Sequence, residues 1–147
     1  MSKSIVKAAC GLLILCLVVV GLVGCQMQEP DYARQMTEST AQAMSGGDYA
    51  AFTQYLTPEI KDALTEEDFN QISQQIRDAI GEYIDMEFWK AQPSREDTLV
   101  QYKARYTDET EDVIIKALFT EIEGQTYIAG FVFDSPKLRE AAAAAGE

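Results

Sequence analysis

The chain divides according to the step between its apolar residues. From Asp31 that step is close to four, so Tyr32, Met36, Thr40 and Met44 fall on one face of a helix. The stretch "SGGD", residues 45–48, ends it: Gly46 or Gly47 suits a left-handed C-cap, and Asp48 suits the cap of the next helix. That next segment, "DYAAFTQYL", sets Tyr49, Phe52 and Leu56 on one side. Thr57 followed by Pro58 is a cap with proline at the first helical position, opening a short helix to Leu64. Thr65 opens the longest helix, which closes at Gly81. Its early acids suit the positive end of the helix dipole, and Phe69, Ile72, Ile76 and Ile80 form its apolar stripe.

After Gly81 the step becomes two. "EYIDMEFW" alternates Ile84, Met86 and Phe88 with Asp85, Glu87 and Trp89, and "LVQYKARYT" alternates Val100, Tyr102, Ala104 and Tyr106 with Gln101, Lys103 and Arg105. "DVIIKALFTEI" and "TYIAGFVF" follow, joined by the tight turn at residues 123–125. Four strands with short connections predict an antiparallel meander, and helices first with strands afterwards predict the α+β class. The face Val100, Tyr102, Ala104 and Tyr106 is expected to pack on the stripe Phe69, Ile72, Ile76 and Ile80. In the tail "SPKLREAAAAAGE", Ser135–Pro136 predicts a capped turn, with residues 139–147 frayed.

The front end has another pattern. Lys3 and Lys7 precede an uncharged apolar run from Ala8 to Leu22, the layout of an export signal. Leu22-Val23-Gly24-Cys25 resembles the lipobox of prokaryotic lipoproteins, in which the cysteine sulfur takes a diacylglycerol and the chain is cut just before it. On that resemblance residues 1–24 are a signal peptide, Cys25 is lipidated, 25–30 is a spacer and 31–138 is the single domain. The other readings are an uncleaved span, for which the 17 residues from Ala8 to Gly24 are at the short limit, and a plain secretory signal. Two acyl chains hold a protein on a membrane where one is marginal. The expected location is the cell membrane, lipid-anchored and facing outside the cytoplasm.

Charge then removes whole classes of function. The chain has 147 residues with 24 acidic and 12 basic side chains, and a processed chain of 123 residues would keep 10 basic against 24 acidic. A body carrying −14 is repelled by phosphate backbones, which argues against nucleic-acid binding. There is no histidine, hence no commonest general base and no usual transition-metal ligand. Cys10 and Cys16 leave with the signal, so no disulfide is expected. No cofactor motif is present.

"SGGDYAAFTQYLTPEIKDALTEEDF" resembles the opening of nuclear-transport-factor-2-like domains, a cystatin-like α+β fold in which a Gly-Asp-Tyr turn joins two helices ahead of a curved sheet. With "IGEYIDMEFW" and "FDSPKL" the chain is similar to a small bacterial and archaeal family of unknown function, over about residues 31–138. The resemblance rests on Gly47 and Asp48 for the turn and Gly81 for the helix-to-strand corner. It implies N-terminal helices closing one side of a bent four-stranded antiparallel sheet, a cone that often leaves a pocket, an exported or lipid-anchored protein, and frequently a homodimer. Catalytic members of the wider fold use a Tyr with an Asp, or His–Asp pairs, inside the cone. This chain has no histidine, and its predicted inward faces carry no carboxylate.

Trp89, Tyr102, Tyr106 and Tyr127 are the candidate lining of a pocket or interaction surface, against their reading as ordinary strand aromatics. Trp89 is out of phase with Phe88, which points it to an outer face and a partner. "TDETED", residues 107–112, is rich in oxygen ligands but lacks the glycine and terminal glutamate spacing of a calcium loop, so a solvated hairpin is expected and no metal. Tyr83, Asp85 and Glu87 share a predicted strand face, where acid–base work would need a partner that the sequence does not offer. Two functions follow: a non-catalytic module binding a small apolar ligand or an envelope protein, and an enzyme using carboxylates and tyrosines in the cone.

Overall fold

The computed structural model describes residues 27–146. The signal segment and Cys25 lie outside the described residues. Among these residues no helix is long and apolar enough to cross a membrane.

Side-chain caps divide the helical half. α1, Ala33–Gly46, buries Met36, Thr37, Thr40, Ala41 and Met44, and ends where Gly47 turns left-handed at φ 70°. Asp48 then accepts the N–H of Ala51 at 3.0 Å and starts α2, Tyr49–Thr53. Thr57 caps α3, Pro58–Ala63, and Thr65 caps α4, Glu66–Ile80, whose first turn carries Glu66, Glu67 and Asp68 at the positive end of the dipole. Gly81 has φ 80°, and a Cβ there would sit 2.0 Å from Thr107 Oγ1, so both conformation and space require glycine at this corner. Between α2 and α3 the chain bonds to the sheet: Thr57 N–H donates to the Ile128 carbonyl and Ile128 N–H to that of Tyr55.

The sheet is β1 (Tyr83–Ser94), β2 (Asp97–Tyr106), β3 (Val113–Ile122) and β4 (Gln125–Asp134), antiparallel and in sequence order. This is the predicted α+β architecture, helices on a four-stranded antiparallel sheet. Glu123 and Gly124, both at positive φ, form the two-residue turn between β3 and β4. One inward row, Phe88, Tyr102, Ile115 and Phe133, crosses all four strands. Among the described residues every fully buried apolar side chain lies between Ala33 and Ile128.

Four expectations need correction. A register shift between Tyr83 and Asp85 turns Ile84 outward, 51% exposed, instead of inward with Met86 and Phe88. The same shift sends Tyr83 inside against Tyr106 while Asp85 stands outside opposite Arg105, so Tyr83 and Asp85 do not share a face. In α4 the buried residues are Phe69, Ser73 and Ile80. Ser73 Oγ donates to the Met44 carbonyl at the end of α1, 2.7 Å, which draws that face inward and leaves Ile72 41% exposed and Ile76 half-buried at the flank. α4 accordingly packs on α1, α2 and the C-terminal helix, while α1 lies over β1 and the middle of β2. Finally the tail does not fray after its first turn. Ser135 caps α5, Pro136–Ala145, an alanine-rich helix of high propensity that lies against α4.

Candidate functional site

The two ends of the sheet's inner face are finished differently. Under α1, polar side chains close the interior. Tyr102, fully buried, donates its hydroxyl to Glu29 Oε1 at 2.8 Å, and Tyr83 donates to Glu38 Oε1 at 2.8 Å. Burial, then the hydrogen bond to a carboxylate, pushes both phenols far above their ordinary pKa. Burial alone raises Tyr106, whose hydroxyl has no partner. Phenols held this firmly protonated cannot serve as bases near neutral pH.

From Tyr106 a relay of aromatic contacts runs away from α1. Tyr106 meets Phe133 (6.4 Å between centroids), Phe133 meets Phe131 (5.2 Å), Phe131 meets Phe52 (6.3 Å) and Phe52 meets Phe69 (4.9 Å). The four phenylalanine rings, without Tyr106, floor a groove of about 420 Å³. One wall is α4, with Ile72 and Ile76; the other is β4, with Phe131, Val132 and Phe133. Leu138 of α5 stands at one end, and Leu56, Ile60 and Leu64 at the other. Every lining residue is apolar. A groove of this size suits a small apolar ligand, and no titratable group stands in it to do chemistry. A broader depression of about 850 Å³ runs along α3 toward Thr120, Ile122 and Ala129.

The four aromatics singled out from the sequence do not come together. Tyr102 and Tyr106 are interior, 0% and 3% exposed. Trp89 is 45% exposed on the outer face, flanked by the ammonium groups of Lys90 at 4.1 Å and Lys103 at 5.5 Å from its ring. Tyr127 pairs with Thr120, one register step from the inward pair Phe119–Ile128, and so takes the opposite face. None lines the groove. In the sequence pattern Ile72 and Ile76 belong to a helix stripe, and Phe131 and Phe133 to a strand. The signal that was present is the apolar triplet "FVF", continuous rather than alternating, followed by Leu138 just beyond a helix cap.

The outer face is a lattice of opposite charges. Arg105 Nε donates to Asp85 Oδ1 at 2.7 Å, and this hydrogen bond holds the Asp85 carboxyl below its ordinary pKa. Lys103 pairs with Asp112 and Lys116 with Asp134, each at 3.7 Å. In the loop at 107–112 the Glu109 carboxylate accepts the backbone N–H groups of Thr110 and Lys137. Among the described residues no three Asp, Glu, Cys or His side chains gather as metal ligands would.

The molecule is thus a small α+β domain with a closed polar end and an open apolar end. Residues 33–131 match the family described as protein of unknown function (DUF3887), and the chain belongs to that family. The matched span runs from α1 into β4 and leaves out Phe133, Leu138 and all of α5. No curated protein matches the chain. Among solved structures it is similar to a SEC-C motif containing protein from Rhodopseudomonas palustris, at 12% identity over 66% of this chain and 82% of that one, with a TM-score of 0.45. A protein from Kribbella flavida aligns at 13% identity over 78% of this chain and 96% of that one, with a TM-score of 0.41.

Proposed function

We propose that this protein is a membrane-tethered, non-catalytic binding module, and that its site is the apolar groove between α4 and β4. The observation that carries the reading is the lining itself: about 420 Å³ walled by apolar side chains alone, beside an interior whose polar groups are mostly bonded to one another. The lipobox ending at Cys25 supplies the tether, on the outer side of the cell membrane. Confinement there raises the effective concentration of a membrane-borne ligand without adding a contact. Helices over one side of the sheet with a groove at the open end fit the nuclear-transport-factor-2-like cone.

Two measurements test this. Cys25→Ser, expressed as the full chain in a prokaryotic host, should move the protein out of the membrane fraction; retention there at the processed size contradicts the tether. The chain from Gln26 onward, which contains the whole core, should bind the neutral apolar dye Nile red saturably and lose that binding in Ile72→Asp. Unchanged dye binding in that variant contradicts the groove.

The second reading, catalysis by carboxylates and tyrosines, is favoured only by the unpartnered Tyr106 hydroxyl. The raised phenol pKa values count against it, since a tyrosinate would form only in strong alkali.

A further inference from the structure

The groove does not stop at Leu138. Beyond it a second cavity of about 470 Å³ runs between α4 and α5, and Ile72, Ile76 and Leu138 line both. α4 presents Ile72, Gln75, Ile76 and Ala79 to this seam, at i, i+3, i+4 and i+7. That is the spacing by which a helix receives the apolar face of another. α5 lies along the seam without filling it: none of its residues is buried, and Ile72 opposite keeps 41% of its surface exposed.

What holds α5 is at its first turn, and it is polar. Lys137 N–H donates to the Glu109 carboxylate at 3.2 Å, the Lys137 ammonium donates to the Asp108 carbonyl, and Arg139 pairs with Asp134. On the other side of the seam the rim carries Asp78. The seat is therefore an apolar trough with an acidic rim. α5 is a helix with one leucine on its apolar side and two cations beside it, a minimal occupant of matching chemistry.

We propose, resting on the reading of the groove as a binding site, that this trough docks a basic amphipathic helix of a protein partner, and that α5 is the weak internal occupant the partner displaces. The partner helix places large apolar side chains along Ile72 and Ile76, and its Lys or Arg flanks face Asp78, Glu109 and Asp134. The chain's strong negative charge favours such a partner over an acidic one. A second copy of this chain fits poorly, because its α5 would bring the same short side chains.

The test uses the chain from Gln26 onward and a fluorescein-labelled helical peptide of about four turns, with leucines at i, i+3, i+4 and i+7 and lysines elsewhere. Fluorescence anisotropy should show saturable binding. A peptide of equal composition with its leucines scattered around the helix should bind about tenfold more weakly, as should one with glutamates for lysines. Leu138→Ala, which loosens α5, should tighten binding, and Ala142→Leu, which fills the seam, should weaken it. Ala142→Leu leaves the core untouched, so a folded variant is assured by an unchanged circular dichroism spectrum. Equal binding of the scattered-leucine peptide means contact by charge alone and overturns the proposal. If Nile red binds but no peptide does, the helix partner is wrong and the groove reading stands; if neither binds, both fail.

Discussion

The two ends of this domain are built from the same strands and differ in what covers them. Under α1 the covering side chains are small or reach for a polar partner: Ala33, Thr37, Thr40 and Ala41 let the helix lie close, and Tyr102 and Tyr83 find Glu29 and Glu38. Under α4 and α5 the surfaces are large and apolar but meet incompletely, leaving Ile72 exposed beside the groove. One end bonds most of its polar groups internally, Thr37 Oγ1 and the Tyr106 hydroxyl excepted. The other leaves apolar surface that water covers at a cost of roughly 25 cal/mol per Å², which is free energy available to a ligand.

The comparison is easiest to break at α4, which borders both ends. Phe69→Ala should destabilise the fold by about 3–5 kcal/mol, since Phe69 is fully buried and its loss leaves a cavity. Ile72→Ala, three residues away but 41% exposed, should shift denaturant unfolding by only about 0.5 kcal/mol. Equal costs would mean that Ile72 is core and the groove is closed.

At the polar end Tyr102→Phe removes a hydrogen bond to a carboxylate and should cost about 1–2 kcal/mol. The sign of the pH dependence follows from the raised phenol pKa values. Tyr83 and Tyr102 stay protonated in the fold above the pH at which they ionise in the unfolded chain. Their contribution is fully present below the ordinary tyrosine pKa of about 10 and is lost as pH rises beyond it. Chemical denaturation between neutral and strongly alkaline pH should show stability falling above that point, and falling less steeply in Tyr83→Phe. A wild-type curve flat through this range would contradict the assignment.

Smaller effects sharpen the contrast. Ala142→Leu should stabilise by about 1 kcal/mol by filling the α4–α5 seam. Tyr106→Phe should lose no more than about 0.5 kcal/mol and gain up to about 1 kcal/mol, because the buried hydroxyl it removes bonds to nothing. A larger loss would reveal a partner for that hydroxyl.

Much of the architecture is legible in the chain because caps and corners are local. Asp48, Thr57, Thr65 and Ser135 each accept the N–H predicted for a cap, and Gly47 and Gly81 sit where positive φ is required. The inward row of β2 follows from alternation alone. The groove is not local. Whether Ile72 and Ile76 are core or wall depends on Ser73 reaching Met44 across the helix pair, 29 residues away in the chain. A stripe of isoleucines reads the same either way. The bulge at Ile84 likewise leaves no mark in an alternating pattern, and it alone separates Tyr83 from Asp85. Trp89, Tyr102, Tyr106 and Tyr127 are all aromatic but do not share a face, because the sheet distributes them to opposite sides.

The central claim, that the open apolar end binds and the closed end only holds the fold, is tested most directly by mapping contact residue by residue. Amide chemical shifts of the chain from Gln26 onward would be followed during titration with Nile red. The account predicts that the amides of Ile72, Ile76, Val132 and Leu138 move together and saturate, while those of Trp89, Tyr102 and Lys103 stay in place. Shifts centred on Trp89 and Lys103, with α4 and β4 unmoved, would put the binding surface on the outer face of the sheet and contradict it.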